Sequence, residues 1–72
     1  MVMVKKMTKE EFKQKVFEKM HEKGYSDYKT DDEIWQGIEE NDDIIDDGMC
    51  AAKEHGDRYG IFYAADNISM CI

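Results

Sequence analysis

Residues 30–56 read TDDEIWQGIEENDDIIDDGMCAAKEHG, and this stretch decides the fold that the sequence predicts. From Asp31 to Asp47 it holds nine carboxylates and no lysine or arginine. At about 100° per residue its main apolar positions share an arc of about 60°; they are Ile34, Ile38, Ile45, Met49 and Ala52. Because the phase is kept through Asn41 and Asp42, the pattern predicts one continuous helix over residues 31–54.

Signals at both ends support this helix. Thr30 and Glu33 have the spacing of a capping box, in which each side chain bonds a backbone N–H of the other. Gly56 is suited to end the helix because glycine adopts the left-handed conformation at little cost. Small residues share one flank, where another element could approach closely; they are Gly37, Asn41 and Gly48.

The opposite side of the predicted helix is acidic. Nine charges over 17 residues give about one per 3 Å of helix, against about one per 1.7 Å of duplex DNA. Like charges one turn apart disfavour a helix, so a chain selected for folding alone would have lysines between them. We therefore expect this face to bind a basic partner, with a merely solvated face as the alternative. The predicted contact residues are Asp32, Glu33, Glu39, Glu40, Asp43, Asp46 and Asp47, while Asp31 and Asp42 lie nearer the edge.

Trp35 lies at the rim between the apolar arc and the acids. Tryptophan is frequent among the residues that dominate binding energy, so Trp35 joins the predicted partner-binding set. Packing against its own domain is the alternative.

An earlier helix is predicted over residues 9–23. Thr8 and Glu11 form a second capping-box signature, and Gly24 provides a stop. An apolar stripe recurs at helical spacing and consists of Phe12, Val16, Phe17 and Met20.

The two ends of the chain are typical of strands. Residues 1–5 read MVMVK, and apolar residues alternate over 58–64 and 68–72. Ala65, Asp66 and Asn67 between them are typical turn residues. These patterns predict one α+β domain over residues 1–72, with two helices packed on a short antiparallel sheet in the order β-α-α-β-β.

The charge is uneven along the chain. Of a net charge of −7, residues 1–24 contribute +3 and residues 25–72 contribute −10. The acidic part should repel nucleic acid and anionic membranes. We therefore expect a basic protein partner and no direct binding to nucleic acid or membrane.

The two cysteines, Cys50 and Cys71, are too few for a disulfide framework. They are expected to be buried or half-buried as small apolar residues. There is no signal-peptide pattern and no apolar run of about 18–20 residues that would span a membrane. A reduced, cytoplasmic location is expected.

A calcium-binding loop is the one metal pattern worth testing. With Gly48 at the sixth position of an EF-hand, Asp43, Asp47 and Glu54 fall at the first, fifth and twelfth positions. Ile45 at the third position cannot bind calcium, and the segment after Glu54 is not typical of an exit helix. Weak calcium or magnesium binding by the carboxylates remains an alternative function, with no cofactor expected.

The sequence holds no arrangement of nucleophile and base, so catalysis is not expected. The function predicted is that of a small acidic interaction protein. It would bind and inhibit or regulate a basic, nucleic-acid-binding protein, in the manner of DNA mimics from phages or mobile elements. The other alternative is an oligomerisation or adaptor module with an apolar partner surface, including a possible homodimer.

Overall fold

The computed structural model describes residues 7–25 and 29–72, which form four α-helices. These are α1 (Lys9–Lys23), α2 (Asp31–Glu40), α3 (Asp42–His55) and α4 (Asp57–Cys71). Within the described ranges there is no strand. The predicted α+β class, with its β-α-α-β-β order, is therefore wrong, because this part of the chain is all-helical. The strand expected at residues 1–5 lies outside the described residues.

The prediction of α1 is confirmed. The Thr8 hydroxyl accepts from the Glu11 N–H at 3.1 Å, and the Glu11 carboxylate accepts from the Thr8 N–H at 2.9 Å. Gly24 ends the helix in the left-handed conformation, with φ of 67°. The capping box of Thr30 and Glu33 is formed in the same way at the start of α2.

The predicted continuous helix over 31–54 is wrong because it breaks at Asn41. That residue has φ of −110° and ψ of 45°, outside the helical region. Its side-chain amide donates to the Gly37 carbonyl at 2.7 Å, and its own carbonyl accepts from the Ile44 N–H at 3.0 Å. Asn41 therefore closes α2 and opens α3. The predicted stop at Gly56 is confirmed, since α3 ends at His55.

The predicted hairpin over 58–72 is wrong because this segment is α4. Its buried side follows a helical period and consists of Gly60, Ile61, Ala64, Ala65 and Ile68. Residues 65–67, expected to turn, lie inside the helix, where the Asn67 amide donates to the Tyr63 carbonyl at 2.8 Å. The segment forms a helix because a helix buries this small apolar side against the other helices. The stability of an isolated two-stranded hairpin would be marginal.

The most extensive helix interface joins α3 to α4, followed by that of α1 with α4. The α3–α4 crossing is built from small residues, with Gly48 against Gly60 and Ala64. Gly37 similarly receives the side chain of Ile72. The expectation that small residues allow a close approach is thus confirmed at Gly37 and Gly48.

One apolar core joins all four helices. Ile34 and Ile38 of α2 and Ile45 of α3 enter it from either side of the break. Its buried members are Phe12, Val16, Met20, Ile34, Ile38, Ile45, Ile61, Ala64, Ala65 and Ile68.

Candidate functional site

The seven predicted acidic contact residues are all exposed, but they do not form one straight row. The break at Asn41 divides them between two helices. Four of them belong to α2 and three belong to α3. On α2 they are Asp32, Glu33, Glu39 and Glu40, and on α3 they are Asp43, Asp46 and Asp47.

Lysines of α1 neutralise part of this surface from within the chain. Lys9 Nζ lies 2.6 Å from Asp42 Oδ2 and 3.0 Å from Asp46 Oδ1. Lys13 Nζ lies 3.1 Å from Glu39 Oε2 and 3.4 Å from Asp42 Oδ1. The acids on both sides of the α2–α3 junction are therefore held together by two cations one helical turn apart on α1.

Lys13 is the one charged residue among the buried residues of the described chain, with 6% of its surface exposed. Its methylene stem lies in the interior while its ammonium group reaches the carboxylates, as long basic side chains commonly do. The sequence held a signal for this position. On the α1 helical wheel, Lys13 falls within about 60° of both Val16 and Met20, which are buried.

These contacts shift the pKa values of the groups involved. The hydrogen bond from Lys9 holds the pKa of the Asp42 carboxyl below its usual range. The pKa of Lys9 is raised, chiefly by its bonds to Asp42 and Asp46, and that of Lys13 is raised chiefly by its bond to Glu39. Charge on both sides is thus stabilised in the folded state.

The other predicted acids differ in their surroundings. Glu33 serves the capping box, where the Thr30 backbone N–H lowers the pKa of its carboxyl. Among the described residues, no lysine or arginine lies within salt-bridge distance of Asp43, Asp47 or Glu54, all on the solvent side of α3. We call these three residues the α3 acidic face. Glu54 was not in the predicted set, although it continues the same spacing.

Trp35 packs mainly against its own domain. Its ring stacks on Phe17, with centroids 5.1 Å apart and planes 15° from parallel. It is half-buried at the edge of the core. This contact ties α2 to α1, so the domain-packing alternative is the one observed for most of the ring.

A second surface was missed because its segment was expected to be a hairpin. α4 turns Tyr59, Phe62, Tyr63 and Met70 outward, with 51%, 43%, 37% and 73% of their surfaces exposed. Asp66, half-buried, lies between them on the helical wheel. We call these five residues the α4 outer face. A helical reading of residues 57–71 would have separated it from the buried side.

The structure also places the two cysteines and the possible calcium loop. Cys50 and Cys71 are both exposed, so the expectation that they would be buried or half-buried is wrong. Positions 43–54, the possible calcium loop, are helical in α3. Residues 7–25 and 29–72 hold no group of three His, Cys, Asp or Glu side chains placed to bind a metal ion. No helix in the same ranges is both long and apolar enough to cross a membrane.

Comparison with protein-family models, with curated proteins and with solved structures gave no match to this chain.

Proposed function

We propose that this protein is a cytoplasmic interaction protein that binds a basic, nucleic-acid-binding partner protein and inhibits or regulates it. The contact surface is the α3 acidic face together with Asp32 and Glu40 of α2. The proposal involves no catalysis and no cofactor.

One observation carries the proposal, namely the unequal distribution of cations over the acids. Lys9 and Lys13 neutralise the carboxylates beside the α2–α3 junction, while Asp43 and Asp47, one turn apart on α3, have no such neighbour within residues 7–25 and 29–72. Like charges at this spacing disfavour the helix that carries them. Cations of a basic partner would offset the repulsion between Asp43 and Asp47. Burial of these carboxylates with the cations in the complex would strengthen the attraction between opposite charges.

Because the helix breaks at Asn41, the acidic surface resembles DNA in its local charge density but not in the regular spacing of its charges. The surface is not a stiff rod of evenly spaced charge, so the proposal does not depend on matching the repeat of a duplex. It depends on local charge density, which favours partners that bind phosphates through clusters of lysine and arginine.

The test must spare the acids that pair inside the molecule. Reversal of Glu39 or Asp46 would remove a contact with Lys13 or Lys9 and confuse folding with binding. The double variant Asp43→Lys/Asp47→Lys instead changes residues without a cation neighbour among the described residues. A matched control, Glu10→Lys/Glu18→Lys, makes the same change in net charge on the exposed side of α1. The ion pairs it removes, at 4.0 Å to Lys13 and 3.9 Å to Lys15, are longer than those of Glu39 and Asp46.

The experiment is affinity capture from a lysate of the source cell at about 50 mM and about 300 mM NaCl. We expect capture of a basic protein at low salt that duplex DNA displaces. Asp43→Lys/Asp47→Lys should abolish it while keeping the far-UV circular dichroism of the parent, and Glu10→Lys/Glu18→Lys should retain it. Binding that is insensitive to salt, or equal loss in both double variants, would rule out the proposal.

A further inference from the structure

We propose that the α4 outer face docks an amphipathic helix of the partner, with apolar side chains on Tyr59, Phe62 and Met70 and basic side chains along the edge nearest α3. This inference rests on the proposed function, because it names the element that the basic partner contributes.

The first support is the exposed apolar surface of α4. Phe62 and Tyr63 lie one turn after Tyr59 on one side of the helix, and Met70 extends that side by two further turns. Four large apolar side chains exposed side by side on a domain of this size indicate an interaction surface. Their spacing suits a helix laid alongside, which places its own contacts at intervals of three and four residues.

The second support is a groove between α3 and α4 on one side of this face. It has a volume of about 410 Å³ and is lined by Asp47 and Glu54 from α3 and by Tyr59 and Tyr63 from α4. Of the described residues that line it, none is a lysine or an arginine, and His55 alone can carry a positive charge. An arginine in this groove could pair with the carboxylates while its planar group stacks on a tyrosine ring.

The opposite side of the face has the reverse charge. A groove of about 320 Å³ between α1 and α4 is lined by Lys19, Lys23 and Arg58 beside Phe62. Lys23 Nζ already lies 5.6 Å from the centroid of the Phe62 ring. The basic residues of the docked helix therefore belong on its α3 edge and not on its α1 edge, which fixes how it lies across α4.

Charge also argues against a second copy of this chain as the occupant. If two α4 helices met in parallel about a two-fold axis, Asp66 would face Asp66 in the middle of the contact. If they met antiparallel, the α3 edge of each, with Asp47 and Glu54, would face the same edge of the other. Either arrangement brings like charges together at low dielectric, whereas the docked helix brings no second carboxylate against Asp66 and places cations opposite Asp47 and Glu54.

The probe is a synthetic peptide of about 18 residues with leucine at helical spacing, arginine along one edge and glutamine along the other. A control peptide has the same composition in scrambled order. Binding to the full chain is measured by calorimetry at about 50 mM and about 300 mM NaCl. We expect the amphipathic peptide to bind at least about tenfold more tightly than the scrambled peptide, a difference of about 1.4 kcal/mol.

Three variants locate the peptide. Tyr59→Ser/Met70→Ser should weaken binding about tenfold at both salt concentrations, because the contact it removes is apolar. Glu54→Lys should weaken it mainly at low salt. Glu18→Lys, the matched reversal on α1 outside both grooves and outside the proposed contact surface, should change the affinity by less than about threefold.

Equal binding of the two peptides, or unchanged binding by Tyr59→Ser/Met70→Ser, would overturn the inference. So would a dimer in sedimentation equilibrium that Met70→Ser dissociates, since the face would then be covered by a second copy. The result for the α4 site can be separated from the result for the proposed function. If Tyr59→Ser/Met70→Ser still captures the cellular partner and Asp43→Lys/Asp47→Lys does not, the acidic surface stands and the α4 site falls.

Discussion

The backbone of Gly60 lies against the backbone of Gly48 where α4 crosses α3. A Cβ atom at position 60 would contact the Gly48 carbonyl oxygen and would stand 2.6 Å from the Cβ of Ala52, closer than real side chains approach. The largest interface of the fold therefore depends on the absence of a side chain at this point. The same closeness brings Asp47 and Glu54 beside Tyr59 and Tyr63, which creates the groove proposed above.

Gly60→Ala should destabilise the fold by about 2 kcal/mol. Alanine gains about 1 kcal/mol of helix propensity over glycine, but its methyl group would press on backbone atoms that cannot move without separating α3 from α4. The measurement is urea unfolding followed by far-UV circular dichroism.

Gly37→Ala is the matched control, because the gain in propensity is the same. Its methyl group would instead meet the Ile72 side chain, at 2.6 Å from the branch methyl Cγ2. Because Ile72 follows the last residue of α4, it can shift without separating two helices. We expect it to be neutral or to stabilise by up to about 1 kcal/mol. Similar losses at both positions would show that the Gly48–Gly60 crossing is not the cause.

Asn41→Ala should cost about 1 kcal/mol, because it removes the half-buried hydrogen bond from the side-chain amide to the Gly37 carbonyl. Asn41 is not helical, so alanine gains no propensity there. Asn67 makes the same type of bond, to the Tyr63 carbonyl, but inside the exposed side of a continuous helix. Asn67→Ala should therefore be neutral or slightly stabilising. Equal effects in thermal unfolding would contradict a special role of Asn41 at the junction.

Local signals accounted for what could be predicted of the fold. Each capping box is formed by residues three apart, so the starts of α1 and α2 could be read from Thr8 and Thr30. The break at Asn41 could not be read from periodicity, because Ile38 and Ile45 enter one core from two helices. Their common phase is consistent with either a continuous or an interrupted helix.

The helix α4 depends on tertiary structure. Tyr59, Ile61 and Tyr63 alternate as in a strand and have strand propensity. The helical side depends on Gly60 and Ala64, small residues that gain from burial only because α3 lies against them. The local strand propensity of this segment therefore predicted the wrong secondary structure.

The candidate site was predictable in part for similar reasons. Exposure of the acids followed from the apolar arc, since each helix keeps its own polar side. Pairing of Glu39 and Asp46 with α1 required knowing that α1 packs beside the α2–α3 junction. The one indication of this packing in the sequence is Lys13, a cation that falls within the apolar stripe of α1.

Lys13→Met should cost less than about 1 kcal/mol, whereas Lys13→Ala should cost about 2 kcal/mol. Methionine keeps most of the buried stem, and the half-exposed Glu39 and Asp42 carboxylates can be hydrated once the ammonium group is gone. Alanine removes about three methylene groups, each contributing about 0.8 kcal/mol. Urea unfolding of both variants checks this. Since both variants remove the charge, similar losses in Lys13→Met and Lys13→Ala would mean that charge, not packing, keeps lysine at this position.

Stability should fall in acid and in strong alkali, and the Lys9–Asp42 pair should contribute to both limbs. Because the pKa of the Asp42 carboxyl is lowered by folding, its contribution is present above its ordinary pKa of about 3.9 and is lost as the pH falls through the folded value. Because the pKa of Lys9 is raised, its contribution is present below about pH 10.4 and is lost as the pH rises through the folded value.

The measurement is the free energy of unfolding from about pH 2.5 to about pH 11. Lys9→Met/Asp42→Asn should flatten both limbs, while Lys15→Met/Glu18→Gln, which removes a looser pair at 3.9 Å, should leave them nearly unchanged. If the free energy of unfolding changed with pH in the same way in the parent and in Lys9→Met/Asp42→Asn, the Lys9–Asp42 ion pair would add no pH-dependent stability.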